Sequence, residues 1–446
     1  MSLIDEGLVE EGRSPMMVEG WNTFRSIRRA LASSHWRPER LRRLQETQLR
    51  TLLAHAYQNV PLYRALYDEA GFRPETFRSL DDVVKIPILT KQRLKAAAPD
   101  EVVARGIDPA RCATVATSGS TGTPLRIFLK SRDERWQRAV AWRILFEHGF
   151  RWTDRTLEIR MTPGRTFLIQ RLGLAPKMWV SIQDPPQSWA LRLAQTAHDV
   201  IVASAGTLHA LAEAVEVLGC ETPRPRIVIS DSETLAPATR RLVRSVLGSD
   251  PVDVFGLVEC SNFAWECEHR NGFHVSADSH IVEVAAPEGE QGSIIATALG
   301  MWTMPIIRYD TGDLAEIQAA PCACGRSLPL LRRIYGRAVD SVLLPDGSRL
   351  FWPVFHEVLG GYTDLRQWRI VQENACRLTV QLAVPARNGR LLTRLDTDLR
   401  RVLPDGFRLD IERVERISVN PGEKTRMIVS KMIGPDGAHP AVGSRR

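Results

Sequence analysis

Between residues 156 and 247 the chain alternates short apolar runs with helical periods, and this alternation narrows the fold more than any other feature. Thr156–Arg160, Val200–Ala203 and Arg226–Ser230 read as buried strands, with helices over Leu208–Leu218 and Pro237–Leu247. A strand, a crossover helix and another strand make parallel neighbours, so the pattern predicts a largely parallel sheet covered on both faces. Ligands of such sheets collect at the carboxyl ends of the strands. The fold class is therefore α/β: a large N-terminal α/β domain with mostly parallel sheets, followed by a small α+β C-terminal domain. The tail supports the second part. Trp368–Val371 and Arg377–Leu382 alternate like strands, Leu391–Val402 is helical, and Arg408–Val414 is a further strand.

Upstream, Leu41, Leu44, Leu49, Leu52, Leu53 and Ala56 fall on one face of a helix from Arg37 to Asn59. A second helix over Tyr63–Ala70 ends at Gly71, and a third spans Asp133–His148. Residues 1–35 are weakly patterned and are expected to pack as an irregular arm. The stretch Leu80–Lys91 reads as a turn in which Thr90 caps the next helix, with no chemistry assigned to it.

One stretch stands out chemically. Thr117-Ser118-Gly119-Ser120-Thr121-Gly122-Thr123 holds nothing but hydroxyl side chains and glycines, then Pro124. It lies between Ala113–Ala116 and the alternating Leu125–Leu129, as a loop between two strands would. Glycine lets a backbone approach a ligand closely, and hydroxyls with amide N–H groups suit phosphate oxygens. The spacing and lysine of the GxxxxGK[ST] loop are absent, so this is a phosphate loop of another kind.

Four later segments follow in order: Ser230-Asp231-Ser232-Glu233-Thr234-Leu235, Asp253-Val254-Phe255-Gly256-Leu257-Val258-Glu259, Ile307-Arg308-Tyr309-Asp310-Thr311-Gly312-Asp313, and Gly336-Arg337-Ala338-Val339-Asp340. With the glycine-rich loop they resemble the adenylate-forming ligases, in their phenylacetate–coenzyme A ligase-like branch, over roughly residues 40–430. The resemblance implies an ATP-dependent carboxylate ligase that forms an acyl-AMP and passes the acyl group to a thiol. Coenzyme A is the expected acceptor and an aromatic or arylacetic acid the expected substrate, with pocket residues on loops such as 147–165 and 203–208.

The same resemblance implies roles. Thr117, Ser118, Gly119, Ser120, Thr121, Gly122 and Thr123 would hold the β- and γ-phosphates. Ser232, Glu233, Phe255 and Gly256 would flank the nucleotide, Asp313 would take the ribose hydroxyls, and Arg337 would approach ribose and phosphate. Glu259 would be catalytic as the Mg2+ ligand. Lys424, in Pro421-Gly422-Glu423-Lys424, lies where the family carries a mobile-loop lysine and would be the catalytic cation at the α-phosphate, with Lys431 the second candidate. A large domain over residues 1–335, a hinge at 336–341, a small domain over 342–434 and a disordered tail over 435–446 follow. The sequence departs from the family at Thr123, where lysine is frequent, and at Val339, where the hinge usually has Asp.

A second constellation needs no nucleotide. Cys267 and His274 are seven apart, and Cys322 and Cys324 form a tight pair. Thiolates and imidazole are the ligands zinc prefers, and three Cys with one His close a tetrahedral structural site. Cys260 and His269 are the alternates.

Composition bounds the rest. Net charge is +7 over 446 residues with 44% hydrophobic content, and the arginines are scattered without a nucleic-acid module. The basic balance then points to small polyanions such as ATP and coenzyme A rather than nucleic acid. Seven cysteines are an odd count, favouring reduced thiols or a metal over a disulfide framework. No apolar run suits a membrane span and the N-terminus has no secretory pattern, so cytoplasm is the default expectation. Two other readings stand beside the ligase: an adenylating enzyme that forms an amide or loads a carrier protein, and a nucleotide-binding scaffold without catalysis.

Overall fold

The computed structural model describes residues 15–116, 124–161, 170, 173–337, 339–359, 362, 365, 367–383, 389–415, 417 and 427–433. The helix Pro38–Asn59 opens on a proline, whose missing N–H costs nothing in a first turn, and buries Leu41, Leu49, Leu52, Leu53 and Ala56. Val60 turns the chain directly into a second helix, Pro61–Glu69, and Gly71 follows with a φ of +65°. The expected irregular arm is corrected: Pro15–Ser33 is helical and packs against the helix Ser131–Glu147. Its buried positions include Ile27, Ala30 and Ser33, at a spacing of three, but the arginines between them blur the apolar stripe in sequence.

Nineteen strands follow in order among the described residues. They are β1 (Ala113–Ala116), β2 (Arg126–Leu129), β3 (Thr156–Arg160), β4 (Lys177–Ser181), β5 (Val200–Ser204), β6 (Ile227–Asp231) and β7 (Val252–Leu257). Then come β8 (Ser261–Glu266), β9 (Phe273–Val275), β10 (His280–Val284), β11 (Gly292–Ala298), β12 (Ile306–Gln318) and β13 (Leu330–Arg337). The tail holds β14 (Ser341–Leu343), β15 (Arg349–Phe351), β16 (Gln367–Asn374), β17 (Arg377–Ala383), β18 (Arg408–Val414) and β19 (Ile428–Ser430).

Eleven of them make one sheet in the order β10-β11-β12-β13-β9-β8-β7-β6-β5-β3-β4. From β4 to β7 all pairings are parallel, and from β7 to β10 all are antiparallel. The change has a local cause. Helices Ala205–Leu218 and Pro237–Leu247 supply crossovers on the parallel side, whereas β7 and β8 are separated by only three residues and must form a hairpin. Leu157, Ile159, Ile201 and Val228 pack against Leu208, Leu211, Val215 and Val243 of these helices. Each such side chain contributes roughly 1.5–3 kcal/mol by leaving water.

The tail has a core of its own. β16 and β17 are antiparallel neighbours, flanked in parallel by β19 and β18, and Ile370, Leu378, Val380 and Leu382 pack against Phe355, Leu395 and Leu399 of the helices Trp352–Leu359 and Gly389–Arg400. The expected tail over 435–446 lies outside the described residues.

Candidate active site

β1 and β2 form an antiparallel hairpin whose last pair is Ala116–Arg126, so the glycine-rich loop joins two strands as its flanks suggest. Thr117, Ser118, Gly119, Ser120, Thr121, Gly122 and Thr123 themselves lie outside the described residues, as does Lys424. Lys431 is described: its ammonium pairs with Glu373 on an exposed surface.

At the end of β7 the backbone is pinched. A Cβ on Gly256 would sit 2.5 Å from Cα of Asn262, so only glycine lets β7 and β8 approach here. Phe255 packs edge-on against Phe263 at 5.3 Å between ring centroids. Glu259 follows in the turn and is 3% exposed. The Tyr309 hydroxyl donates to Glu259 Oε1 at 3.0 Å, and Lys91 Nζ lies 3.5 Å from the same oxygen. Burial and the negative Glu259 hold the Tyr309 hydroxyl protonated, well above the ordinary tyrosine range.

Lys91 is the residue that sequence reasoning missed. It is delivered by a segment clamped along β12: the Leu89 N–H donates to the Arg308 carbonyl at 2.9 Å, and the Asp310 N–H to the Leu89 carbonyl at 3.0 Å. Arg308, a buried residue at φ 46°, makes a double ion pair with Glu283 at 3.0 and 2.9 Å and donates to the carbonyls of Val84 and Ile86. The Thr90 side chain does cap the next helix, accepting from the Arg93 N–H. The arginine of the motif therefore positions the lysine that stands beside Glu259. The only sequence signal was a Thr-Lys pair after an apolar run, which a helix cap explains equally well.

Asp313 lies on β12 opposite Arg337 of β13, next to a register shift. Thr311 fixes its approach, donating to the Ile294 carbonyl at 2.9 Å while accepting from the Asp313 N–H at 3.1 Å. Asp313 is 5% exposed, and its Oδ2 is buried without a hydrogen-bond partner among the described residues. Burial pushes its carboxyl up to about 6, Arg337 and Lys91 pull it down, and Glu259 and Asp340 push it up. A buried acceptor with no donor is costly unless a ligand supplies one, and two ribose hydroxyls would.

Ser232 sits at φ 65° and donates to Asp231 Oδ1 at 3.0 Å. Glu233 accepts from the Gly206 N–H at 2.8 Å, at the start of the helix Ala205–Leu218. Asp231 also pairs with Arg160, with one contact at 2.6 Å. Asp231 and Arg160 line a cavity of about 480 Å3 whose walls also include Trp142, Glu158, Lys177, Ile229 and Asn262. Gly336 of the fourth segment has a φ of +88° and lies near Thr234, where a Cβ would be 3.7 Å from the hydroxyl.

Cys267, His274, Cys322 and Cys324 converge, with one ligand atom from each within 4.8 Å of the others. Cys267 and Cys322 sulfurs are 3.7 Å apart, and Cys324 Sγ is 3.2 Å from His274 Nε2. The sulfur separation is far beyond a disulfide. It matches the edge of a tetrahedron about a zinc ion, about 3.8 Å for Zn–S bonds of about 2.3 Å. Burial pushes the Cys267 thiol up to about 12 and the His274 imidazole down to about 4, so the ring is neutral and able to ligate. At Cys324 burial opposes ionisation, but hydrogen bonds from Arg326 outweigh it and lower the thiol. Of the alternates, His269 is exposed and Cys260 lies in the main core.

No family model matches the chain. It is similar to a phenylacetate-coenzyme A ligase of Thermus thermophilus, 30% identical over 332 residues that make up 69% of this chain and 72% of that one. The phenylacetate-coenzyme A ligase of Escherichia coli is 28% identical over 334 residues, 70% of this chain and 74% of the other. Among solved structures, a 2-hydroxyisobutyryl-CoA ligase in its postadenylation state matches with a TM-score of 0.73 at 20% identity, over 89% of this chain and 91% of that one. The same ligase in its thioesterification state matches over the same shares with a TM-score of 0.61. Among the described residues no helix is long and apolar enough to cross a membrane.

Proposed function

The chain belongs to the phenylacetate–coenzyme A ligase family of adenylate-forming enzymes, and from this we propose that it is an AMP-forming acid–thiol ligase. A carboxylate attacks the α-phosphorus of ATP and expels pyrophosphate, giving acyl-AMP. The thiol of coenzyme A then displaces AMP and leaves an acyl-CoA. The observation that carries this reading is the buried group Glu259, Tyr309 and Asp313 with the half-buried Lys91 beside Glu259, and with Asp313 Oδ2 left unpaired among the described residues.

Asp313 and Arg337 would hold the ribose, and Thr117–Thr123 the outer phosphates. Glu259 fits a hard cation: its contacts to Tyr309 and Lys91 both use Oε1, and neither uses Oε2. A Mg2+ held there would offset phosphate charge. Lys91 stands 3.5 Å from Glu259 and would add positive charge beside the phosphates, and Lys424 would meet the charge that builds at the α-phosphate. The acid would occupy the cavity of about 480 Å3, where Trp142 and Ile229 offer an apolar wall to an aromatic or arylacetic acid.

A hinge at 336–341 would let the small domain, 342–434, turn on the large one, 1–335, between the two half-reactions. Gly336 at φ +88° and the turn in which the Asp340 N–H donates to the Arg337 carbonyl support it. So does the better match to the postadenylation than to the thioesterification form of one ligase. The four-residue cluster would hold a structural Zn2+; four protein ligands close the tetrahedron, so the ion would brace the fold and take no part in the reaction.

The test is acid-dependent ATP–pyrophosphate exchange across aromatic and arylacetic acids, followed by thioester formation on adding coenzyme A. Exchange without thioester would favour an amide-forming or carrier-loading enzyme. No exchange with any acid would favour a nucleotide-binding scaffold.

A further inference from the structure

The helix Ser131–Glu147 has a cavity on each side. One is the acid cavity already described. The other, of about 570 Å3, lies between this helix, the helix Pro15–Ser33 and the loop 299–302. We infer that this second cavity binds a multiply phosphorylated small molecule of nucleotide size, at a place separate from the ATP site.

Its charge is one-sided. Arg25, Arg28 and Arg29 line it from one helix and Arg132 and Arg135 from the other, and no carboxylate is among the described lining residues. None of the five makes an ion pair among the described residues. Like charges three and four apart on a helix repel, so the arrangement costs stability unless an anion fills it. The neighbouring acid offers no relief. Asp133 is fully buried and turned inward, accepting from the N–H groups of Lys130, Trp302 and Thr303 at 3.0, 2.7 and 3.2 Å.

The walls are also built rather than incidental. The Trp136 indole lies against Gly300 so closely that a Cβ there would be 2.2 Å from the ring. The Arg132 guanidinium stands 4.3 Å from the centroid of Trp302, a contact that steadies the group without neutralising it. Gln48, which also lines the cavity, has a buried Oε1 with no hydrogen-bond partner. The cavity therefore asks for several negative charges and for one hydrogen-bond donor at its inner wall. Its volume is in the range of small-molecule sites, about 300–1,000 Å3. A nucleotide bearing two or more phosphates has all three properties. That chemistry could come from the head of coenzyme A or from a free nucleotide.

Adenosine 3′,5′-bisphosphate is a suitable probe, since it cannot be a substrate of adenylation. Calorimetry and tryptophan fluorescence on the full chain should show saturable binding that weakens as salt rises. The binding should persist in Asp313→Asn, and Arg28→Glu combined with Arg132→Glu should weaken it about tenfold or more. Both arginines are exposed, and an unfolding midpoint no lower than the parent's would confirm that the variant is folded. No binding, or binding lost in Asp313→Asn yet unchanged in the arginine variant, would overturn the inference. The source is read separately. A raised KM for coenzyme A with unchanged pyrophosphate exchange identifies the coenzyme, and an unchanged KM with lost probe binding identifies a free nucleotide.

Discussion

Replacing Asp313 by Asn should make the free protein more stable while weakening its hold on a nucleotide. Burial first, and the charges of Glu259 and Asp340, push this carboxyl from its ordinary 3.8 up to about 6, against the pull of Arg337 and Lys91. A gap of about two units, at about 1.36 kcal/mol each, corresponds to roughly 3 kcal/mol. Because the folded pKa lies above the unfolded one, the folded chain holds this proton more firmly. The ionised carboxylate therefore costs stability above about pH 6, and the cost fades as pH falls toward 3.8. Asparagine removes the charge but leaves a buried amide, returning roughly 1–2 kcal/mol of the gain. Urea unfolding at pH 8 should then show the variant about 1–2 kcal/mol more stable, with the advantage shrinking by more than about 1 kcal/mol at pH 5. Calorimetry should show weaker ATP binding, since the acceptors for the ribose hydroxyls are reduced. A variant less stable than the parent at pH 8, or a difference independent of pH, would refute the reasoning.

Three further outcomes are expected. Lys91→Met should lower the adenylation rate by about tenfold or more, measured as pyrophosphate exchange, because it removes the cation beside Glu259. Lys424→Ala should slow adenylation on the order of 10²-fold yet spare thioester formation from preformed acyl-AMP, whereas Lys431→Ala, already paired with Glu373, should be mild. Metal analysis of protein purified without chelator should find about one zinc per chain, and Cys322→Ser should lower both zinc content and the unfolding midpoint; full stability without zinc would exclude the structural site.

What could be read from sequence was whatever depends on local chemistry. Pro237–Leu247, Thr156–Arg160 and Arg408–Val414 carry their period in contiguous residues, and each is found where its pattern puts it. The convergence of Cys267, His274, Cys322 and Cys324 was legible because Cys and His are few, although their meeting depends on β9 pairing with β13. Lys91 was not legible. Its role depends on Leu89 bonding to β12 more than two hundred residues later and on Arg308 reaching back to Val84 and Ile86. The helix Pro15–Ser33 was missed for a different reason: its arginines, which obscure the apolar stripe, line a cavity.

The insertion of β13 beside β9 also sets an order of events during synthesis. β9 meets its outer neighbour only through His274–Leu330 and Phe273–Leu331, and the whole of β10, β11 and β12 must be translated first. Until then the nascent chain carries an unpaired strand edge, the kind of surface on which other chains can add. Cys267 and His274 emerge before that gap and Cys322 and Cys324 near its end. Capture of an ion by this cluster would thus fall in the same interval of translation as closure of the sheet. A ribosome that stalls before residue 322 would hold half a ligand set on an open edge.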